Sequence, residues 1–419
     1  MTAGKKPLAC VIGDMDLVRP LGMAGIRCAV VAPPGDPTHY SRFTRAVLEW
    51  DDCWKHPDTL VNRLVRWAEG QPEKPVLFYE EDRDLLLVSR YRDVLAPVFR
   101  FVVPEATLVE DLVDKNRFQE LAERLDLPVP PTRRIHPAGG SRPEDVDLRF
   151  PVILKQLTRQ TERWVPIAGQ AKALEIASAE ELAELWPRLE RSELELLAQE
   201  VVPGPETRIE SYHAYVDEDG RILGQFTGRK IRTLPRERGY STALEITDVP
   251  DVAALGREVL FRLGFRGVAK VDFKRAPSGR LYLLEINPRF NLWHHPAACA
   301  GVNLPALVYS RLTGAPVPGT PPKPTAGVTW SYLWYDVLAA REWEVPLGAW
   351  ALWAARCHAK SAVHLDDPMP FMRGVALRKL GRWWKDRRAA PRAKATLRRG
   401  MSSWTRGTTA PPSSRPPGR

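Results

Sequence analysis

The sequence has few cysteines and no long apolar run. Its 419 residues include five cysteines, which lie far apart and never in C-x-x-C spacing. A scattered, odd number of thiols argues against a disulfide framework or a zinc site, so we expect reduced cysteines. The longest apolar run outside the predicted strands, residues 345–355, is about half of the roughly 20 residues that a membrane span needs. We therefore expect no membrane-spanning segment.

Two further patterns are missing at the start of the chain. The opening letters MTAGKKPLACVIG run straight into a predicted strand, without the apolar core and cleavage site of a signal peptide. The first turn, GDMDLVRPLG, does not have the G-x-G-x-x-G spacing of a dinucleotide-binding fingerprint. We expect a cytoplasmic protein whose first domain does not bind a dinucleotide in that way.

Positive charge is concentrated in one segment. The net charge is +10, but residues 373–419 alone contain 14 Lys and Arg against one acidic residue, Asp386. This basic tail suits either weak contact with an anionic inner-membrane surface through residues 370–399 or a helix docked on its own domain, followed by a solvated end. No recognisable module predicts specific nucleic-acid binding.

The chain is too long for one ordinary core, and its patterns change along its length. Strand-like and helix-like segments alternate at first, which predicts a parallel α/β domain. A mixed α+β region with a hinge at 199–206 follows, and a Pro-rich linker precedes a region dense in tryptophan. The α/β domain, the α+β domain, the Trp-rich region and the basic tail with its disordered end are predicted at residues 1–112, 113–315, 316–372 and 373–419.

The stretch LYLLEINPR reads as a strand that ends in polar groups. Because side chains alternate along a strand, Glu285 and Asn287 are expected on one face together with Leu283. A four-residue loop in the preceding hairpin would place Asp272 diagonal to Glu285, and Lys270 directly opposite Glu285. Carboxylates this close need a cation between them, and hard oxygen ligands suit Mg²⁺.

A simpler alternative stays open for this hairpin. Glu285 and Lys270 would form a surface ion pair, and Asp272 would be exposed to solvent without a partner. A one-residue change in loop length would also move Asp272 to the other face of the sheet, because register and facing are linked.

The letters VDF followed by LLEINPR resemble the metal-binding signature of the ATP-grasp superfamily, and the resemblance extends over most of residues 100–315. It implies an ATP-grasp fold with an N-terminal Rossmann-like domain and a C-terminal helical and basic extension. ATP would lie between two lobes, and its γ-phosphoryl group would pass to a carboxylate. Carried over by position, Asp272, Glu285 and Asn287 would bind Mg²⁺, with Mn²⁺ as an alternative, and Lys270 and Arg289 would act in catalysis.

The same resemblance assigns upstream residues to ATP. They comprise two upstream lysines, four residues of the hinge and two basic residues beyond it. These are Lys115 and Lys155, then Gln199, Glu200, Val202 and Glu206, and finally Lys230 and Arg232. Phosphoryl transfer depends mainly on positioning and on neutralising phosphate charge, which lysines and Mg²⁺ provide.

One loop departs from the family pattern. ATP-grasp proteins usually close over the phosphates with a Gly- and Ser-rich loop, whereas residues 156–172 contain one glycine, Gly169. A backbone cradle relies on the close approach that glycine allows. Side chains such as Thr158, Arg159 or Arg163 would then contact the phosphates instead.

Substrate contacts are expected just beyond the strand that carries Glu285 and Asn287, here called the metal strand, and at a strand end of the first domain. Asn291 and His294 follow Arg289, and residues 80–82 form an acidic patch. Ligands of open α/β sheets lie at the carboxyl ends of the strands. The neighbouring histidines 294 and 295 have no further ligands at a spacing that suits a metal.

The combined pattern predicts an ATP- and Mg²⁺-dependent ligase that joins a carboxylate to an amine. The letters GRKIRTLPRERGYSTALE and DDPMPF resemble a group of bacterial carboxylate–amine ligase-like proteins. An ATP-dependent phosphotransferase acting on a hydroxyl, or a non-catalytic nucleotide-binding scaffold tethered by its tail, are the alternatives. The substrates and the oligomeric state stay open, with a dimer as one option.

Overall fold

The computed structural model describes residues 6–157, 161–169, 173–237, 239–316 and 323–378. Its first domain contains, in chain order, β1 (Ala9–Ile12), α1 (Met15–Met23), β2 (Cys28–Ala32), β3 (Thr44–Glu49), α2 (Pro57–Glu69), β4 (Val76–Tyr79), α3 (Asp82–Arg90) and α4 (Arg92–Leu95). The strands form a parallel sheet in the order β3-β2-β1-β4. The predicted parallel α/β arrangement is therefore present.

Two strands of this domain differ from the sequence pattern, because the letters FRFVVP at 99–104 indicate a strand that does not form and another strand is not indicated. The segment 99–104 makes only an isolated bridge between Arg100 and Val76. Strand β3 was missed because it lies at the sheet edge, where Arg45, Val47 and Glu49 are exposed and break up the apolar pattern. An edge strand of this kind resembles a polar loop in sequence.

The next segment forms a small lobe with its own antiparallel sheet. It follows α5 (Ala106–Val113) and α6 (Lys115–Arg124) and contains β5 (Thr132–Ile135), β6 (Val152–Gln156), α7 (Thr161–Ala168), β7 (Leu174–Ile176), α8 (Ala179–Ser192) and β8 (Leu196–Glu200). The strand order is β5-β8-β6-β7. Ser178 caps α8 by accepting a hydrogen bond from the backbone N–H of Glu181 at 3.3 Å, as its capping-box sequence predicts.

A seven-stranded central sheet follows the small lobe. Its region contains β9 (Ile209–Val216), β10 (Ile222–Leu234), β11 (Tyr240–Thr247), α9 (Pro250–Arg262), β12 (Gly267–Arg275), β13 (Leu281–Asn287), α10 (His294–Cys299), α11 (Leu304–Thr313), β14 (Thr329–Ser331), α12 (Leu333–Glu342), α13 (Leu347–Arg356) and β15 (Ala359–Lys360). The strand order is β13-β12-β9-β10-β11-β14-β15. The Trp-rich region therefore extends the central sheet across the predicted boundary near 316.

One hydrophobic core joins the first domain to the central sheet. Val11 and Phe78 of the first domain belong to the same buried cluster as Phe226, Leu244 and Trp330. Apolar side chains on both sides of this junction are removed from water together, which fixes the two parts against each other. The carboxyl ends of β1 and β4 thereby lie near the end of β13.

The last described segment returns to the first domain. A π-helix, Pro370–Leu377, packs Gly374 against Pro37, and Arg378 donates to the carbonyl of Gly35 at 3.2 Å. Residues 370–378 are therefore docked on their own chain, although Met372 is half exposed. The rest of the predicted membrane-contact segment, 379–399, lies outside the described residues.

No helix in the described ranges combines the length and the apolar content that crossing a bilayer requires.

Candidate active site

The site is built on the hairpin of β12 and β13, whose register differs from the prediction in two places. The loop is one residue longer than expected, so Arg275 pairs with Leu281. A β-bulge then makes Leu284 an extra residue on β13, because the register shifts between Leu283 and Glu285. Either change alone would place Asp272 and Glu285 on opposite faces of the sheet. Together the two changes shift the pairing by two residues, so both carboxylates lie on one face.

The pairing across the hairpin corrects the predicted diagonal. Asp272 lies directly opposite Glu285, and Lys270 lies opposite Asn287. The bulge also places Leu283 and Glu285 on opposite faces of the sheet. Leu283 packs in a core cluster, whereas Glu285 is exposed. The prediction that Leu283 shares the face of Glu285 was therefore wrong. The two carboxylates are closer neighbours than the sequence indicated.

Asp272 is buried and held as a carboxylate. Its Oδ2 lies 2.5 Å from the Lys270 ammonium, and its Oδ1 accepts a hydrogen bond from the Ser211 hydroxyl. Burial alone would raise the pKa of Asp272, but the charges of Lys270 and Lys230 and these hydrogen bonds hold it well below its usual range. The alternative in which Asp272 is exposed without a partner was wrong.

Lys270 links the two carboxylates. Its Nζ lies 4.0 Å from Glu285 Oε1, while the Asn287 side-chain amide donates to the same oxygen at 3.1 Å. The donor set of two carboxylates and an amide oxygen fits Mg²⁺, which binds hard oxygen ligands that are ionised or neutral. Asp272 meets that requirement because it stays deprotonated.

Arg289 connects this hairpin to the first domain. Its Nε lies 2.5 Å from Asp82 Oδ1, and its Nη1 donates to the backbone carbonyl of Glu80 at 2.7 Å. Its Nη2 donates to Asn287 Oδ1 at 3.2 Å. The acidic strand end predicted at 80–82 therefore does meet the metal strand, and Arg289 is the residue that joins them.

The predicted ATP residues of the small lobe form a short polar chain. Lys155 on β6 donates to Gln199 Oε1 on β8 at 2.8 Å, and Gln199 Nε2 donates to the Thr132 hydroxyl at 3.0 Å. The Glu200 carboxylate accepts the backbone N–H of Arg149 at 3.0 Å. The hinge prediction stays a prediction, although Lys155 and Gln199 do lie side by side.

The other predicted ATP residues lie at element ends and on β10. Lys115 is the first residue of α6, Val202 is buried in the loop after β8, and Glu206 begins a short 3₁₀ helix, Glu206–Arg208. Lys230 is half-buried on β10 and makes no hydrogen bond or ion pair with another described residue. Its charge nevertheless contributes to lowering the pKa of Asp272.

Arg232 has a different partner from the one predicted. Its guanidinium forms a bidentate pair with Asp336 on α12, at 2.9 and 2.6 Å, and both side chains are buried. We therefore leave Arg232 out of the proposed ATP site. Sequence reasoning missed Asp336, because no local pattern links two residues 104 positions apart.

Asn291 and His294 are structural rather than accessible. Asn291 Oδ1 accepts the backbone N–H of Trp293 at 3.1 Å, which stabilises the turn before α10. His294 is fully buried among aromatic rings such as Phe290, at a centroid distance of 5.4 Å, and burial lowers its pKa to about 3. The turn and the core enclose both side chains, so their contact with a substrate stays a prediction that this burial does not favour.

The glycine-poor loop is described only in part. Thr158 and Arg159 lie outside the described residues. Arg163 on α7 pairs with Glu193 at 3.2 Å, and Trp164 is buried in the core of the small lobe. The bulky residues of this loop therefore include one that anchors α7, which the sequence did not reveal.

Known proteins share this architecture. The family described as ATP-grasp in the biosynthetic pathway with Ter operon matches residues 195–333. The ADP complex of N5-carboxyaminoimidazole ribonucleotide synthetase aligns with a TM-score of 0.55 and 13% identity, over 78% of this chain and 82% of that chain. The chain has an ATP-grasp fold. Within this ATP-grasp fold, Asp272, Glu285 and Asn287 lie at the end of the central sheet.

Two curated relatives of the chain are D-amino-acid ligases by name. D-aspartate ligase of Enterococcus faecium is 26% identical over 286 residues, which is 65% of this chain and 67% of the relative. D-alanine–D-alanine ligase of Halorhodospira halophila is 28% identical over 215 residues, 48% of this chain and 66% of the relative. The chain thus spans about two thirds of the length of these relatives.

Proposed function

We propose that the chain is an ATP- and Mg²⁺-dependent ligase that activates a carboxylate as an acyl phosphate and joins it to an amine. The observation that carries this proposal is the group formed by Asp272, Glu285, Asn287 and Lys270 on an ATP-grasp sheet. Its oxygen donors and its cation are the residue types that nucleotide phosphates require.

The lysines supply positive charge for the phosphates of ATP. Lys155 comes from the small lobe, whereas Lys230 and Lys270 come from the central sheet. Lys155 and Gln199 lie on paired strands, so both would contact the nucleotide from one side. Charge placed in advance stabilises the transferring phosphoryl group without reorganisation during the reaction.

Asp272, Glu285 and Asn287 would hold Mg²⁺, which supplies neutralisation of the phosphate oxygens when it is bound. Lys270 lies close to both carboxylates. Its ammonium keeps Asp272 ionised, so that this ligand needs no deprotonation before metal binding. The fit rests on the chemistry of these donors and on their shared face.

Arg289 is suited to the substrate carboxylate. The Asp82 carboxylate, which is half exposed, already contacts its Nε at 2.5 Å and has the chemistry that a substrate carboxylate would present. The contacts from Glu80 and Asn287 keep the guanidinium oriented when Asp82 gives way. Planar guanidinium groups bind carboxylates and phosphates with defined geometry.

The reaction then proceeds in two balanced steps. The γ-phosphoryl group of ATP passes to a carboxylate oxygen, which releases ADP and forms an acyl phosphate. The amine attacks the carbonyl carbon, so that a C–N bond forms, the C–O bond to phosphate breaks, and phosphate and a proton are released. The names of the relatives, D-aspartate ligase and D-alanine–D-alanine ligase, point to amino acids as the substrate class.

Two finer points remain proposals. A cytoplasmic location fits an enzyme that uses ATP. Weak contact of residues 370–399 with an anionic membrane stays a prediction, because only residues 370–378 are described and they dock on the first domain.

A screen of amino acids and small carboxylates in pairs, with ATP and Mg²⁺, tests the function. We expect one pair to release phosphate and to give a condensed product by mass spectrometry. Glu285→Gln should lower phosphate release at least about 100-fold, since it removes one charged ligand of the metal. Glu258→Gln, the same change on the exposed face of α9, should leave the rate unchanged.

Three outcomes would contradict the proposal. Unchanged turnover by Glu285→Gln would remove the metal assignment. A stable phosphorylated product without a new C–N bond would identify a phosphotransferase. Binding of ATP without phosphate release for any pair would favour the non-catalytic scaffold.

A further inference from the structure

A buried ion pair joins the C-terminal region to the strand that carries Lys230. Asp336 is fully buried, and the Arg232 side chain is 8% exposed. Both hydrogen bonds of the bidentate pair are shorter than 3 Å. Removing one partner of such a pair leaves a buried charge without compensation, so each side chain fixes the other in place.

Other side chains give this pair a single geometry. The Thr242 hydroxyl donates to Asp336 Oδ1 at 2.8 Å, and Trp350 Nε1 donates to Oδ2 at 2.9 Å. The ring of Trp353 lies 4.2 Å from the guanidinium carbon of Arg232, within cation–π distance. The carboxylate and the guanidinium are thus both held from more than one side.

Helix α12 and the residue that follows it also bind the chain just beyond Arg232. Glu342 Oε1 accepts the backbone N–H of Arg236 at 2.7 Å, and Trp343 Nε1 donates to the carbonyl of Thr233 at 3.0 Å. The end of β10 is therefore attached to the C-terminal region along several residues. Lys230 lies immediately before this attached segment.

A β-bulge separates Lys230 from Arg232. Lys230 pairs with Leu244 and Arg232 pairs with Ala243, so Ile231 is an extra residue on β10. Bulges redirect the side chains next to them. Anchoring Arg232 on one side of the bulge therefore determines where the lysine on the other side points.

We propose that Asp336 is a positioning residue for Lys230, so that the C-terminal region takes part in binding the terminal phosphate of ATP. This inference rests on the proposed function, which assigns Lys230 to that phosphate. A displacement of about 1 Å in a positioned group is enough to lower its effect by one to two orders of magnitude. Lys230 makes no hydrogen bond or ion pair with another described residue, so the position of its ammonium depends mainly on the backbone of β10.

Binding of two nucleotides to Asp336→Asn tests the proposal. The change keeps the shape of the side chain and removes its charge. Titration calorimetry with Mg²⁺ would compare ADP with a non-hydrolysable ATP analogue that carries the terminal phosphate. We expect about 10-fold weaker binding of the analogue, as for loss of one charged contact, and less than about 2-fold change for ADP. Lys230→Met should show the same selective loss.

Two further variants complete the test. Glu245→Gln breaks the Arg229–Glu245 pair, 2.8 Å long, on the same two strands, and it should change neither affinity. Arg232→Lys keeps the charge but loses the bidentate geometry, and it should give a smaller loss in the same direction. If the Asp336→Asn variant does not fold, the Arg232→Lys variant is used in its place.

The possible results distinguish a failure of this inference from a failure of the proposed ligase function. Equal weakening of both nucleotides would indicate a merely structural role for Asp336 and would overturn the inference, as would unchanged binding of the analogue. If the unmodified protein binds neither nucleotide, the proposed function itself fails.

Discussion

The central sheet and the small lobe differ in how they are held, although both are expected to contact one ATP molecule. The central sheet shares a hydrophobic core with the first domain, in which Val11 and Phe226 belong to one cluster. The core of the small lobe, with Leu154 and Leu189, has all its members between residues 135 and 198. One body therefore spans two domains, while among the described residues the hydrophobic core of the small lobe is formed by its own side chains, with Arg134 pairing outward to Glu120 of α6.

The polar groups follow the same division. In the central sheet, Arg289 has partners in the first domain and Arg232 has one in the C-terminal region. In the small lobe, Lys155 and Gln199 contact each other and their own sheet. We infer that the central sheet presents a fixed set of charges and that the small lobe moves as a unit to close over ATP.

Matched core truncations give the largest effect and test this division directly. Leu244 lies in the shared core and Leu189 in the core of the small lobe, and both are fully buried. Changing either to Ala should lower the free energy of unfolding by roughly 2–5 kcal/mol, through lost burial and a cavity. Hydrogen exchange should rise only in β5–β8 for Leu189→Ala, but in both the first domain and the central sheet for Leu244→Ala.

Leu365→Ala is the control, because Leu365 is fully exposed and its truncation should change stability by less than about 0.5 kcal/mol. Faster exchange in β1 and β10 of Leu189→Ala would show that the two bodies are not separate.

Acid should weaken the shared core through His294, an effect of intermediate size. Burial lowers the pKa of His294 to about 3, below its usual value near 6.5. Stability that is complete above pH 6.5 is therefore lost as the pH falls from about 6.5 toward 3. Between pH 6.5 and 5, one such group removes roughly 2 kcal/mol from the free energy of unfolding.

The variant His294→Phe should lose roughly 2 kcal/mol less over this interval than the unmodified protein, because the phenyl ring does not titrate, whereas His213, His295 and His364 titrate in both proteins. Denaturant titrations of both proteins at pH 6.5 and 5 measure the difference. Parallel changes in the two proteins would mean that the imidazole is already charged or paired in the folded state.

The smallest effect is expected in the small lobe. Lys155→Met should weaken ADP binding about 10-fold, since it removes the proposed charge–phosphate contact while the rest of the small lobe stays intact. Calorimetry measures this change, with Lys74→Met on the first domain as a control that leaves the affinity unaltered. An unchanged affinity for Lys155→Met would remove this lysine from the site.

The hairpin that carries Asp272 and Glu285 shows which features of the site could be predicted from the sequence and which could not. The facing of the two carboxylates was predicted from strand periodicity, but the loop length and the bulge at Leu284 were not. Those two features depend on how β12 and β13 pack, since a bulge has no fixed local signature. The predicted face was right because the two one-residue shifts add up to two residues, which is the repeat of side-chain facing along a strand.

Residues whose roles depend on distant partners were predicted less well. Arg232 is basic and close to Lys230 in sequence, yet its partner Asp336 comes from the C-terminal region. His294 follows the metal strand closely, yet the shared core encloses it. Local patterns cannot distinguish an arginine or a histidine that faces a ligand from one that is buried by another element.

Local sequence was enough to predict most of the strands and helices, the capping of α8 by Ser178 and the polar end of β13, because these depend on neighbours a few residues away. Tertiary structure decided that Asp272 lies opposite Glu285 and that Lys270 keeps Asp272 ionised. It also decided that Arg232 pairs with Asp336 of α12. Those outcomes depend on contacts between residues far apart in the chain, where burial and charge act only after the elements have packed.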